Sequence, residues 1–270
     1  NIQGEHVSLI DFNRSSVPLV EIVTEPDIHT SEDATVFLKK LRQIIRYLGI
    51  SDCDMDKGSM RLEPNISLRT ITSNTKNDEL PNYKVEVKNI NSFRFVARAI
   101  EFEIERQGEI LDSGKTPPQE TRGFNETKNA TVSQRLKEEA HDYRYFPEPD
   151  IPPIRWEEKE ILNLKSTIPE LPDAKLARFV SDYQLSEYNA EILTAEHVLA
   201  AYFEEAVKLG KGLEKPLTSL QIANWIINKK INIETVLPVA LIADMKKELY
   251  KEVVSGDSLL ECVAKVVSEN

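Results

Sequence analysis

Between residues 147 and 153 the chain reads Pro-Glu-Pro-Asp-Ile-Pro-Pro, four prolines in seven residues. Proline lacks a backbone N–H and fixes φ, so this segment is neither a helix interior nor a central strand. It divides the sequence into two regions of different character. Before it, short alternating stretches interleave with two strong helical patterns; after it, almost everything reads helical. The expected fold is therefore α+β: a mainly antiparallel sheet with helices over residues 1–152, followed by an all-α helical domain over 153–270. At 270 residues, one large or two ordinary domains fit.

The helical patterns have identifiable ends. Phe37, Leu41, Ile44, Ile45 and Leu48 share one face of a helix expected over about 31–48. Thr30 and Asp33 form a plausible capping box. Lys39, Lys40, Arg42 and Arg46 occupy the later turns, where cations suit the dipole, and Gly49 is a natural stop. A second helix starts near Asn91-Ser92, with Phe93, Val96, Ala97, Ile100 and Ile104 as its apolar stripe. Beyond the prolines, helical runs fall near 173–185, 195–208, 217–229 and 237–266. Leu199, Tyr202, Phe203 and Ala206 recur there at core spacing.

Charge and composition exclude several function classes. The net charge is −11, with 20 Lys and Arg against 26 Asp and Glu in residues 1–150, and 14 against 19 afterwards. Neither half is a basic arm, so non-specific nucleic-acid binding and DNA as a partner are not expected. Local recognition of an RNA stays open. No stretch approaches the roughly 18 apolar residues of a membrane span. The two cysteines, Cys53 and Cys262, lie far apart; neither a zinc site nor a disulfide framework follows, and a reduced, cytoplasmic compartment fits. Only nine residues are glycine. G-x-x-x-x-G-K-[ST] and G-x-G-x-x-G are both missing, so any nucleotide is held without a glycine cradle.

Three strand-like stretches place carboxylates in patterns that suit a hard cation. In Val17-Pro-Leu-Val-Glu21-Ile-Val-Thr24, a strand would put Glu21 on an apolar face with Val17, Leu19 and Val23. There it needs a cation, a metal or a hydrogen-bond partner, unless the strand is an edge with Glu21 in water. In Arg61-Leu-Glu-Pro-Asn-Ile-Ser-Leu-Arg69, polar residues alternate with Leu62, Ile66 and Leu68, the pattern of a half-buried strand, and Pro64 marks an edge or bulge. In Tyr83-Lys-Val-Glu-Val-Lys-Asn-Ile-Asn91, Val85 and Val87 face one way and Lys84, Glu86 and Lys88 the other. Each pattern also describes a solvated face. If the strands are neighbours, Glu21, Glu63 and Glu86 converge on one cation, and Mg²⁺ typically takes one or two carboxylates plus waters and phosphates. A fourth cluster, Lys137-Glu-Glu-Ala-His141-Asp-Tyr-Arg-Tyr-Phe146, suits either RNA contact by stacking and phosphate pairing or a network at a domain joint.

These same residues carry a family resemblance. Asp11-Phe-Asn-Arg-Ser-Ser-Val-Pro-Leu-Val-Glu-Ile-Val-Thr-Glu-Pro-Asp27 resembles the signature of the B subunits of aspartyl/glutamyl-tRNA amidotransferases. Gly58-Ser-Met-Arg-Leu-Glu-Pro-Asn-Ile-Ser67, Val85-Glu-Val-Lys-Asn-Ile-Asn-Ser-Phe93, Gln119-Glu-Thr-Arg122 and His141-Asp-Tyr-Arg-Tyr-Phe-Pro-Glu-Pro-Asp150 resemble four further family motifs, in the family order. The resemblance implies a cradle-like catalytic domain that uses Mg²⁺ and ATP to phosphorylate the side-chain carboxylate of Glu-tRNA(Gln) or Asp-tRNA(Asn). Ammonia freed from glutamine by an amidase (A) subunit then displaces phosphate, and a small C subunit completes the complex. It implies that Glu21, Glu63 and Glu86 line the metal site. Arg14, Arg61, Asn65, Lys88 and Asn91 lie in the same motifs and are expected toward ATP or the aminoacyl end.

The chain also departs from the pattern. Ser16 stands where the family usually has Gly, and Glu63 where Asp is usual. The resemblance implies a preceding segment with a Gly-Leu-Glu-Val-His motif and a C-terminal tail domain, neither of which these residues contain. A fragment, or a degenerate or split homologue, is therefore expected. The alternative to the enzyme subunit is a non-catalytic module that docks the amidase or tRNA. An unrelated metal-dependent hydrolase would rest on the carboxylates alone.

Overall fold

The computed structural model describes residues 10, 12, 15, 17–71, 80–136 and 149–249, with the side chains of 135 and 136 left aside. Within them eight helices and a four-stranded sheet form an α+β fold.

Helix α1 (Ser31–Tyr47) opens at Thr30, whose hydroxyl accepts the Asp33 N–H at 3.0 Å. It ends before Gly49, which adopts φ +68°. Helix α2 (Phe93–Asp112) is capped by the Ser92 hydroxyl on the Phe95 N–H at 3.2 Å. Both starts follow from a short polar side chain satisfying an orphan N–H of the first turn.

The sheet is β1 (Asn65–Ile66), β2 (Val85–Lys88), β3 (Glu120–Asn125) and β4 (Ala130–Leu136), paired in that order. Two of its three pairings are antiparallel, and one parallel pairing makes it a mixed sheet. β1 pairs β2 and β3 pairs β4 antiparallel, whereas β2 and β3 run parallel. Helix α2 is the cause: a strand followed by a long crossover returns in the same direction. The alternation around β2 holds, with Val85 and Val87 fully buried under the sheet. They pack with Leu62, Ile66, Tyr83, Val96, Ala99 and Phe124.

Two expected strands differ. Residues 17–24 form no strand and are exposed throughout. An apolar run can supply a strand's buried face, but it does not supply a hydrogen-bonding neighbour. Residues 61–69 keep their burial pattern, with Leu62 and Ile66 buried, yet only Asn65–Ile66 is strand. Pro64 has no N–H to give the ladder, although its carbonyl accepts the Val87 N–H at 2.9 Å.

After the prolines the elements among the described residues are helices: α3 (Glu158–Thr167), α4 (Pro172–Tyr183), α5 (Glu187–Leu193), α6 (His197–Lys211), α7 (Ser219–Asn228) and α8 (Pro238–Leu249). Helices α3 and α5 were not expected from periodicity; α5 has seven residues and α3 buries none. The remainder of the 237–266 run lies outside the described residues. Phe179, Leu193, Phe203, Ile222, Leu241 and Met245 form a second core, with Tyr202 and Ala206 buried and Leu199 packed against it, as their spacing predicts. Helix α1 joins the two regions. Tyr47 donates to the Thr194 carbonyl at 2.5 Å and Gln43 to the same oxygen at 3.0 Å. Arg46 pairs with Glu196 at 2.9 Å. No helix among the described residues is long and apolar enough to cross a membrane. Cys53 is a free, buried thiol; Cys262 lies outside the described residues.

Candidate functional site

The alternation of β2 sets the site. Val85 and Val87 turn into the core, so Glu86 and Lys88 share the opposite face of the sheet. β1 brings Asn65 opposite Glu86, and β3 brings Thr121 opposite Glu86 and Gly123 opposite Lys88. The Thr121 hydroxyl donates to the Glu86 Oε2 at 2.9 Å. Lys88 Nζ lies 3.5 Å from Glu86 Oε1 and 3.5 Å from Glu63 Oε2. Glu86 is the more enclosed of the two acids, with 16% of its side chain exposed against 40% for Glu63 and for Lys88. Two carboxylates thus face a single ammonium at the open side of a short sheet.

Beyond Lys88 the backbone turns sharply. Asn89 holds φ 62°, a left-handed conformation that asparagine tolerates better than most residues. A Cβ on Gly123 would meet Gln134 Nε2 at 2.2 Å and Asn89 Nδ2 at 3.1 Å. Glycine in mid-strand therefore lets two amide groups approach beside Lys88. Asn89 and Gln134 do not stand out in the sequence; the isolated Gly123 in an alternating stretch is the signal that points to them.

The other expected residues are placed as follows. Arg61 and Asn65 are exposed at the β1 edge, and Asn91 is exposed just before the α2 cap. Glu21 is exposed within residues 17–24 and does not join Glu63 and Glu86: among the described residues no three His, Cys, Asp or Glu side chains gather where they could share a cation. Arg14, Ser16 and the 137–146 cluster lie outside the described residues. The donors at this face that suit a hard divalent ion are the Glu63 and Glu86 carboxylates, with the Asn65 amide beside them. Their positions around one positive charge fit such an ion by donor chemistry.

Within the Gln119–Arg122 motif, Glu120 and Arg122 face the other way, into a buried ionic network beneath the sheet. Glu103 of α2 is completely enclosed. It accepts from Arg106 Nη2 at 2.7 Å and Gln107 Nε2 at 2.9 Å, and lies 3.1 Å from Arg122 Nε. Arg122 Nη1 reaches Glu120 at 2.7 Å, and Ser133 donates to Glu120. Thr131 donates to Glu103 as well. Burial pushes the Glu103 carboxyl up, but the Arg106, Gln107 and Thr131 donors overcome it and hold it below the usual carboxylate range. The network fixes β3, and with it Thr121 against Glu86.

The comparisons with known proteins agree with this arrangement of motifs. A family model described as "GatB/GatE catalytic domain" matches residues 1–162, from before the first motif to within α3. The B subunit of the aspartyl/glutamyl-tRNA(Asn/Gln) amidotransferase of Caldicellulosiruptor saccharolyticus is 47% identical over 231 residues, 86% of this chain and 46% of that relative. The protein of the same name from Persephonella marina is 50% identical over 222 residues, 82% of this chain and 45% of the relative. That of Thermotoga petrophila is 47% identical over 222 residues, 82% and 44% respectively. The chain spans about half the length of the curated relatives it matches. A match over more than half of the chain, containing every strand of the sheet and both faces just described, places this chain in the GatB/GatE catalytic-domain family.

Proposed function

We propose that this chain supplies the phosphorylating site of a tRNA-dependent amidotransferase, with a cradle-type unit over residues 1–152 and a helical unit over 153–270. The γ-phosphoryl group of ATP passes to the side-chain carboxylate of Glu-tRNA(Gln) or Asp-tRNA(Asn), leaving ADP and an acyl phosphate. Ammonia, released from glutamine by the amidase subunit, replaces phosphate and leaves the amide. The small C subunit, the amidase (A) subunit and the misacylated tRNA are the partners in this reading, and its compartment is the cytoplasm.

The observation that carries it is the pair of carboxylates, Glu63 and Glu86, turned toward one cation on the open face of the sheet. Phosphoryl transfer requires mainly positioning and neutralisation of charge, rather than covalent participation by the protein. In this reading Glu63 and Glu86 would hold Mg²⁺, and the bound ion would supply charge neutralisation at the phosphates. Lys88 moves its positive charge from the two carboxylates to a phosphate oxygen. Thr121 keeps Glu86 in one rotamer through its hydroxyl. Arg14, Arg61, Asn65 and Asn91 orient ATP or the aminoacyl end.

The test is ATP hydrolysis by this chain with an amidase partner, with and without Glu-tRNA(Gln) and Mg²⁺. Stimulation by the misacylated tRNA, abolished by Glu86→Gln with partner binding intact, is the expected result. Unchanged turnover in Glu86→Gln removes the role assigned to it. Normal partner binding with no Mg²⁺-ATP binding turns the conclusion to a non-catalytic docking module.

A further inference from the structure

Where it meets the helical region, α1 borders a second polar feature. A cleft of about 410 Å³ opens between α1 and the turn joining α5 to α6, with Lys39, Arg42 and Arg46 on one wall and Glu196 on the other. Its frame is fixed. Gln43 and Tyr47 both bond the Thr194 carbonyl, Arg46 pairs with Glu196 at 2.9 Å, and Lys40 pairs with Asp173 at the start of α4.

Pairing divides the cations of the cleft into two kinds. Lys40 and Arg46 each meet an acid supplied by the helical region, whereas Lys39 and Arg42 have no ion pair among the described residues. These two stand three residues apart on α1, so they are neighbours on one helix face, where like charges repel. The Arg42 Nε–H is enclosed and has no acceptor among the described residues. A buried guanidinium N–H without an acceptor is rare, and this group loses no bond when the long side chain turns toward a ligand in the cleft. The opposite wall adds a further source of positive potential. Helix α6, 15 residues long, starts at the cleft with Glu196 as its N-cap, and no side chain caps its first turn. Its leading N–H groups and the positive end of its dipole are thus left to water or to an anion.

We infer that this cleft binds a phosphate dianion, either free or at the end of a small phosphorylated molecule. The charge count selects it. Two unpaired cations side by side are matched by one group carrying about −1.5 to −2 at neutral pH, as a terminal phosphate does, and such a group has several oxygens to accept charge-assisted bonds. A carboxylate or a phosphodiester brings a single charge and leaves one cation unmatched. At about 410 Å³ the cleft exceeds a phosphate alone and falls in the roughly 300–1,000 Å³ range of small-molecule sites. Val36 and Ala195 supply apolar lining for an attached organic body. The cleft shares no residue with the face that holds Glu63, Glu86 and Lys88, and the inference does not rest on the function proposed for that face.

Equilibrium dialysis of the full 270-residue chain against labelled inorganic phosphate, and separately against phenyl phosphate, tests the inference. Saturable binding of both supports a site for a phosphorylated molecule; binding of inorganic phosphate alone supports a site for the free ion. Arg42→Gln is expected to weaken binding about tenfold, the loss of a hydrogen bond to a charged group, and Arg42→Lys to retain part of it. Lys39 is exposed, so Lys39→Gln leaves the fold intact and is expected to cost about two- to fivefold. Glu196→Gln, which frees Arg46, should tighten binding, a gain that a purely structural role for these residues does not give. Sulfate, a dianion of the same shape, should compete, and dimethyl phosphate, with one charge, should compete about tenfold more weakly. No saturable binding, unchanged affinity in both Lys39→Gln and Arg42→Gln, or dimethyl phosphate competing as well as sulfate overturns the inference. Binding that is lost in Lys88→Gln and unchanged in the cleft variants also overturns it, and assigns the phosphate to the sheet face.

Discussion

Replacing Glu103 by Gln tests the buried network on which α2, β3 and β4 meet. The substitution keeps shape and one acceptor but removes the charge, leaving Arg106 and Arg122 to share Glu120 at 3.7 and 2.7 Å. Breaking a buried ion pair costs roughly 3–5 kcal/mol, chiefly through the charge left uncompensated. Because Glu120 remains and the new amide oxygen still accepts, the lower end applies, about 3 kcal/mol. That is a large share of the roughly 5–15 kcal/mol that stabilises a typical fold. The midpoint in urea should fall by about 1–3 M for an m-value of about 1–3 kcal/mol/M. Both tryptophans, Trp156 and Trp225, lie after the prolines, so fluorescence reports the wrong region; amide hydrogen exchange in β3 and β4 is the appropriate readout. The pH dependence has a definite sign. The folded Glu103 carboxyl titrates below its ordinary value, so its stabilisation is complete above the carboxylate range and is lost as pH falls through the folded value. The gap between wild type and Glu103→Gln should therefore narrow in acid. A loss below about 1 kcal/mol, the size of a single ordinary hydrogen bond, or a gap independent of pH, would refute the reasoning.

Three further outcomes rest on single contacts. Thr121→Val removes the hydroxyl that fixes Glu86; about 1 kcal/mol of lost positioning should raise the Mg²⁺ needed for half-maximal turnover about fivefold, with thermal unfolding unchanged, and an unchanged requirement argues against the role. Tyr47 is pushed up to about 12, first by burial and then by Glu196 and its neighbouring acids, so Tyr47→Phe should reduce the late-ionising component of an absorbance titration, and an unchanged titration would count against that shift. Gly210→Ala places a Cβ 2.8 Å from Ile222 Cδ1 and 3.3 Å from Leu217 Cβ; overpacking of about 1–3 kcal/mol should outweigh the roughly 1 kcal/mol gained in helix propensity, and a raised melting temperature would show that the core yields.

The helices are legible wherever their signals are local. Thr30 with Asp33, Ser92, and Gly49 act within a few residues, so the ends of α1 and the start of α2 follow from neighbouring side chains alone. The inward turn of Val85 and Val87 is legible for the same reason, since alternation in a strand is a two-residue property. Residues 17–24 are an apolar run around Glu21 and form no strand, because a strand also needs a partner that no local pattern encodes. Helix α3 is hidden to a search for periodicity because it buries none of its residues and so has no apolar stripe to display.

Local pattern was thus enough for the α+β character and the five motifs that carry the family resemblance. It could not place Glu63 and Glu86 together at Lys88, nor turn Glu120 and Arg122 away into the network around Glu103; those arrangements arise only when the sheet assembles. The reason is pairing across distance. Thr121 reaches Glu86 because α2 returns the chain parallel to β2, and that register is set by the burial of the valines beneath the sheet and the ionic network beside them, not by any residue adjacent to Glu86 in the chain.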